Sequence, residues 1–238
     1  MKVEELKNYG KPVGEIVETT PFPVMMKIGL VVMKSVIKKS GIIGFIPFMT
    51  KINKEKKRII KDFPEGYSKA LELGKAPASQ FLTMTALFNV VANKEGREEA
   101  YSFTKKMWQG YAKYTMPALY NVDKMVKCEG DVYDNYRKFN IAMFKAMKDD
   151  YHVKEIKEEP DCLTIIVDRC VSVEIANALG CPEVGMLGCD HDVAGYPFIE
   201  DEVNSEFRRL HTIAKGDDYC DFMFFKKGKC PFDASKNK

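Results

Sequence analysis

The chain has 238 residues, 45% hydrophobic and 30% charged, enough apolar material for a real core and too much for bulk disorder. Its formal charge of +3 is unevenly spread: residues 1–75 carry 15 Lys and Arg against 8 Asp and Glu, whereas residues 150–225 carry 6 against 17. The acidic end is unsuited to gripping phosphates, which need clustered cations, so no nucleic-acid partner is expected.

The first twenty residues are charged and lack an apolar core followed by small cleavage-site residues, so no secretory signal is expected. Seven cysteines is an odd number and none are spaced CxxC; they read as reduced thiols, and the expected location is the cytoplasm. Residues 23–49, "PVMMKIGLVVMKSVIKKSGIIGFIPFM", are apolar but interrupted by Lys27, Lys34, Lys38 and Lys39, which breaks the roughly 18-residue run that a membrane span needs. The plainer reading is a helix over 24–40 whose apolar face packs on the rest of the protein with its lysines outward. A weak contact with an anionic membrane surface is the alternative.

Next comes "KINKEKKRIIKDFP", a solvated helix closed by Pro64. Residues 1–75 thus form a basic, helical N-terminal segment, and residues 76–238 a second domain. Within the second, Pro77 and Ser79 announce a helix that turns apolar. Tyr101, Phe103, Met107, Trp108 and Tyr111 follow at helical steps, then Tyr136, Phe139, Met143, Phe144 and Met147, stripes that read as core.

The period changes after residue 150. "YHVKEIKEEPDCLTIIVDRC" alternates and is rich in β-branched residues, which predicts two strands joined near "EEPD". "VSVEIANALG" reads as a short helix stopped by Gly180, and "CPEVGMLGCDHD" as a helix or tight turn delivering Cys189. "SEFRRLHTIAKGDDYCDFMFFKKG" predicts a hairpin with "KGDD" as its turn; the tail "PFDASKNK" reads as loose. The expected fold class is α+β: a helical N-terminal half packed against a small, mostly antiparallel β-sheet, helical over 76–150 and sheet-containing over 151–226.

The polar residues concentrate in that last third. Alternation over 205–213 puts Phe207, Arg209, His211 and Ile213 on one strand face, and over 219–225 it puts Cys220, Phe222 and Phe224 opposite Asp221. A matching register brings Cys220 near Arg209 and His211, with Cys189 and Asp190 delivered to the same rim. A thiolate beside a cation has a lowered pKa and is a nucleophile, a carboxylate moves protons, and Arg209 can hold a substrate carboxylate through paired hydrogen bonds. The plain readings are that Asp190 and Asp192 cap a turn, His191 lies on the surface, Thr212 is a strand residue and Gly216 permits a turn. A rival chemical reading gathers Cys170, Cys181, Cys189 and Cys220 as ligands of a metal or iron–sulfur cluster, although their spacing is long.

The run Cys189-Asp190-x-Asp192, then Arg209-x-x-Thr212-x-Ala214-x-Gly216-x-x-x-Cys220-Asp221-Phe222-x-Phe224, resembles the L-2-amino-thiazoline-4-carboxylic acid hydrolase family. "DRC" ending at Cys170 and "LGCPEVGML" before Cys189 extend the resemblance, which covers residues 160–226 and weakens over 80–150. It implies opening of a thiazoline ring: water adds at the amidine-like carbon, the carbon–sulfur bond breaks, and N-carbamoyl-cysteine results. It also implies that Cys189 or Cys220 attacks that carbon or that a metal activates water, that Asp190 or Asp221 handles protons, and that Arg209 holds the carboxylate. Thr212, His191 and Asp192 join Arg209 as substrate-binding candidates for a small-molecule carboxylate. The favoured reading assigns no metal ligand and identifies no cofactor. A non-catalytic small-molecule binding module and a cysteine-ligated metal protein are the alternatives, and a homo-oligomer is compatible with either.

Overall fold

The computed structural model describes residues 1–233, 235 and 237. The chain is α+β, with a helical N-terminal half and a small four-stranded antiparallel sheet in its C-terminal region. Helices run in order α1 (Val13–Glu18), α2 (Phe22–Ser40), α3 (Phe45–Asp62), α4 (Pro64–Glu72), α5 (Lys75–Glu95), α6 (Arg97–Tyr120), α7 (Val122–Met125) and α8 (Val132–Ala146). Strands β1 (Tyr151–Glu159) and β2 (Cys162–Cys170) follow, then α9 (Val171–Ala178), α10 (Pro182–Gly195), β3 (Ser205–Arg208) and β4 (Cys220–Lys226). Among the described residues no helix is long and apolar enough to cross a membrane.

Two compact units interleave along the chain: residues 1–20, 112–171 and 189–238 form the first, and residues 21–111 and 172–188 the second. In the first, the sheet order is β1-β2-β4-β3 with every neighbouring pair antiparallel. The hairpin expected at "EEPD" joins β1 to β2, Glu159 facing Cys162. On β4 alternation holds. Cys220, Phe222 and Phe224 enter the main core with Leu163, Ile165 and Val167 of β2, while Met223 and Phe225 join Cys162 in a smaller cluster.

The aromatic stripe of α8 lands on the main-core face as its spacing dictates. Tyr136 meets Phe224 edge-on at 5.7 Å, and Phe144 meets Phe222 at 5.0 Å. Burying each such side chain contributes about 1.5–3 kcal/mol. Asp131 caps α8 by accepting the Asp134 backbone N–H at 3.1 Å.

The second unit is helical. Ile52 and Ile59 of α3 are buried, and between them Glu55 accepts Arg58 at 2.6 and 2.9 Å and the Asn89 amide of α5 at 2.9 Å. Gly66 allows α4 to approach α9: a Cβ there would stand 2.5 Å from the Ala178 carbonyl oxygen. α2 departs from expectation, because only Val36 of its nineteen residues is buried.

The hairpin of residues 205–224 differs as well. β3 ends at Arg208, opposite Met223, and residues 209–219 form a long loop in place of a tight "KGDD" turn. Gly216, at φ 95°, supplies the left-handed position this loop needs. The expected loose tail falls partly on residues 234, 236 and 238, outside the described residues. Its described part docks on β3: Arg208 donates to the Phe232 carbonyl at 3.1 Å, and Asn237 accepts the Arg209 backbone N–H at 2.7 Å.

Candidate active site

The candidate residues all lie in the first unit. Cys189 to Asp192 lie in the last turns of α10, so the "helix or tight turn" is a helix, and the three-residue step puts Cys189 and Asp192 on one face. Arg209 leaves the sheet just after β3. Its guanidinium is fully buried and donates to Asp192 Oδ2 at 3.0 Å and to the Cys189 carbonyl at 2.6 Å. It also lies over the rings of Phe207 (5.7 Å) and Phe222 (5.4 Å). A buried charge persists only when paired this fully.

The electrostatics follow from that burial. Loss of water opposes the Arg209 charge, but Cys189, Asp192 and Cys220 hold its pKa above the ordinary guanidinium value. At Cys189 burial is the largest influence and pushes the thiol up to about 12, against the pull of Arg209. Cys220 is raised by burial too, although the Ile213 backbone N–H, donated to its sulfur at 3.3 Å, and Arg209 oppose the rise. The lowered thiol pKa expected beside a cation is therefore reversed. Desolvation outweighs the neighbouring charge.

The remaining candidates divide. His191 Nε2 is 2.7 Å from Thr115 Oγ1, and its Nδ1 is 3.9 Å from Asp192 Oδ1. It is thus built into the cluster from α10, and it is not a surface residue. Asp190 is buried. Asp221 faces away from Cys220. One carboxylate oxygen accepts the backbone N–H groups of Leu210 (2.8 Å) and His211 (2.7 Å), and the other meets His211 Nδ1 at 2.9 Å. So His211 pairs with Asp221, and the strand face expected to unite it with Arg209 does not form. Thr212 is fully buried. Its N–H donates to Asp217 at 2.7 Å, and its hydroxyl has no hydrogen-bond partner among the described residues.

Three phenols missed in the sequence surround these groups. Tyr120 donates to Asn140 at 2.9 Å and meets the Tyr196 hydroxyl at 3.0 Å. Burial, then Asp192, raises the pKa of Tyr196; burial, then neighbouring phenols and Asp192, raises that of Tyr120. Tyr151, paired across the sheet with Cys170, is raised by burial and then by Cys170, Asp192 and Cys189. Tyr196 lies seven residues beyond Cys189, directly after α10, so a continued helical spacing could have found it; Tyr120 and Tyr151 carry no local signal.

The four-cysteine metal reading gathers no such set. Cys181 belongs to the second unit and its thiol donates to Glu183 at 3.8 Å. Among the described residues no three His, Cys, Asp or Glu side chains are grouped to hold a metal ion.

The fold and the site together define an α+β chain that buries a guanidinium beside a carboxylate, thiols and phenols. The sequence model of the L-2-amino-thiazoline-4-carboxylic acid hydrolase family matches residues 78–224, more than half of the chain, and the protein belongs to that family. The matched span runs from α5 to Phe224 of β4 and so takes in Cys170, α10, Arg209 and Cys220. No curated protein and no solved structure matches the chain.

Proposed function

We propose that the protein hydrolyses a small thiazoline or cyclic amidine-type carboxylate of the kind named by its family, with Cys189 as the attacking thiol. The observation that carries this reading is the buried Arg209 guanidinium, which donates to Asp192 and to the Cys189 carbonyl and acts electrostatically on the Cys189 and Cys220 thiols, all within the family-matched span. Cys189 is preferred over Cys220 because the residue as a whole retains some exposure and its sulfur makes no hydrogen bond among the described residues, whereas Cys220 is buried in the core and its sulfur already accepts the Ile213 N–H.

A thiol with a pKa near 12 rests protonated, so its proton needs an acceptor. The ring nitrogen of the substrate, an amidine-type base, takes it. The sulfur then bonds to the amidinium carbon, and the ring carbon–sulfur bond breaks with its electron pair leaving on the ring sulfur, which takes up a proton as a thiol. Water next adds to the same carbon and the bond to Cys189 breaks; the water's oxygen becomes the carbamoyl oxygen, one of its protons restores the Cys189 thiol, and the other replaces the proton relayed to the ring sulfur through Asp192 and His191. The product is the N-carbamoyl thiol acid. Arg209 receives the substrate carboxylate in exchange for Asp192, and the displaced Asp192, beside His191, moves protons with Asp190. The buried Thr212 hydroxyl, otherwise unsatisfied, contributes a hydrogen bond to the ligand. Asp221 acts through the loop that it pins, as a positioning residue.

Thiol release from L-2-amino-thiazoline-4-carboxylate tests this directly. The wild-type protein is expected to release one thiol per carbamoyl group formed, Cys189→Ala to lose at least about 10⁴-fold in kcat/KM, and Cys220→Ala to stay within about tenfold. Undiminished turnover in Cys189→Ala eliminates the thiol route. Binding of the acid without turnover across a panel of thiazolines and cyclic amidines points to a sensing module instead.

A further inference from the structure

Between Glu18 and Glu55 the sequence contains no carboxylate side chain and six lysines. This same stretch leaves its apolar residues in solvent. Along α2, Phe22, Met26, Leu30 and Met33 recur at four- and three-residue steps and are all exposed, Phe22 by 75%. The turn into α3 adds Ile42 (81% exposed), Ile43 (95%) and Ile46 (74%). Monomeric proteins rarely leave an apolar patch of this extent uncovered.

The cations are arranged around it. Lys27, Lys34 and Lys38 follow steps of seven and four, which sets all three on one flank of the apolar stripe, and all are exposed. Lys39 falls on the opposite side and turns back onto Glu95 and Glu99 of its own unit. Around its axis α2 therefore shows an inward face (Val24, Ile28, Val32, Val36), an apolar outward face and a basic flank. A second copy meeting this face in an antiparallel twofold contact would set like-charged lysine rows together. A bilayer carrying anionic headgroups offers both halves of the match, acyl chains for the isoleucines and phosphates for the lysines.

We propose that α2 and the turn at residues 41–46 dock on an anionic membrane surface, with Ile42, Ile43 and Ile46 entering the headgroup–acyl boundary and Lys27, Lys34 and Lys38 contacting lipid phosphates. The contact is peripheral, because no described helix is long and apolar enough to span.

Co-sedimentation of the full chain with vesicles tests it. The protein is expected to pellet with phosphatidylcholine vesicles containing a quarter phosphatidylglycerol, to stay in solution with phosphatidylcholine alone, and to be released by added salt. Each lysine is worth about fivefold in partitioning, so Lys27→Gln/Lys34→Gln/Lys38→Gln together should weaken binding on the order of 100-fold. Ile42→Asp/Ile43→Asp should abolish binding while leaving the far-ultraviolet circular dichroism unchanged, since both side chains stand in solvent. Failure to bind either vesicle overturns the proposal, as does equal binding to both with no effect of the lysine changes. Concentration-dependent self-association that Ile42→Asp/Ile43→Asp dissolves, with no vesicle binding, makes the face a contact between copies and overturns it too.

Discussion

At Cys189 two effects oppose each other: the Arg209 guanidinium favours the thiolate, and burial favours the thiol. Burial dominates, and the pKa stands at about 12. Below that value the thiolate fraction rises tenfold with each pH unit. Alkylation of Cys189 by iodoacetamide, followed by peptide mass spectrometry, should therefore keep rising through pH 10. A plateau near pH 8.5 would mark an ordinary thiol and contradict the burial argument. Asp221 makes a different prediction. Asp221→Ala orphans the Leu210 and His211 backbone donors, at about 1–3 kcal/mol each. Asp221→Asn, which keeps one acceptor oxygen, should recover part of that loss in urea unfolding. Much of this site was legible in the sequence: Cys189, Asp192 and Arg209 stood out through motif spacing, and strand alternation separated Cys220 from Asp221. Tyr120 and Tyr151 were invisible, because each reaches the cluster through tertiary packing that no local pattern records.

Among the elements, strongly periodic ones were readable: the α8 stripe faces the core, and Pro160 with Asp161 joins β1 to β2. β3 was read too long for a specific physical reason. Asp221 and Asp217 side chains take the N–H groups of residues 210–212, so these residues leave the ladder to β4. In the second unit, Glu55 gives an element-scale prediction. Bonds from Arg58, the largest influence, hold its carboxyl below the ordinary value against the effect of burial, with Asn89 adding to them. A depressed folded pKa stabilises above the unfolded value, near 4.5, and that stability is lost as pH falls through the folded pKa. Glu55→Gln should thus cost about 1–3 kcal/mol at neutral pH and progressively less in acid, as read from paired unfolding curves. Gly66→Ala should cost about as much at every pH, because the clash with the Ala178 carbonyl is steric.

For the whole molecule, the charge asymmetry and the two units point the same way. The buried thiol–guanidinium cluster is confined to the first unit, whose third segment lies in the acidic part of the chain. The lysine-flanked apolar face is confined to the second, in the basic part. Chemistry on a small acid and contact with a membrane would then use separate stretches of sequence and different physics, one a desolvated polar cluster and the other burial of apolar surface with counterion release. Hydrogen exchange reads both at once. N-carbamoyl-cysteine, the product of the proposed reaction, should slow exchange in residues 189–192 and 209–221 and leave 22–49 unchanged. Anionic vesicles should do the reverse. Since local protection scales with the free energy of opening, a ligand present at 100 times its Kd should slow exchange in its own segment by about 100-fold. Protection of residues 22–49 by the acid would place its binding in the wrong unit and count against the Arg209 site, while protection of 209–221 by vesicles would count against the α2 face.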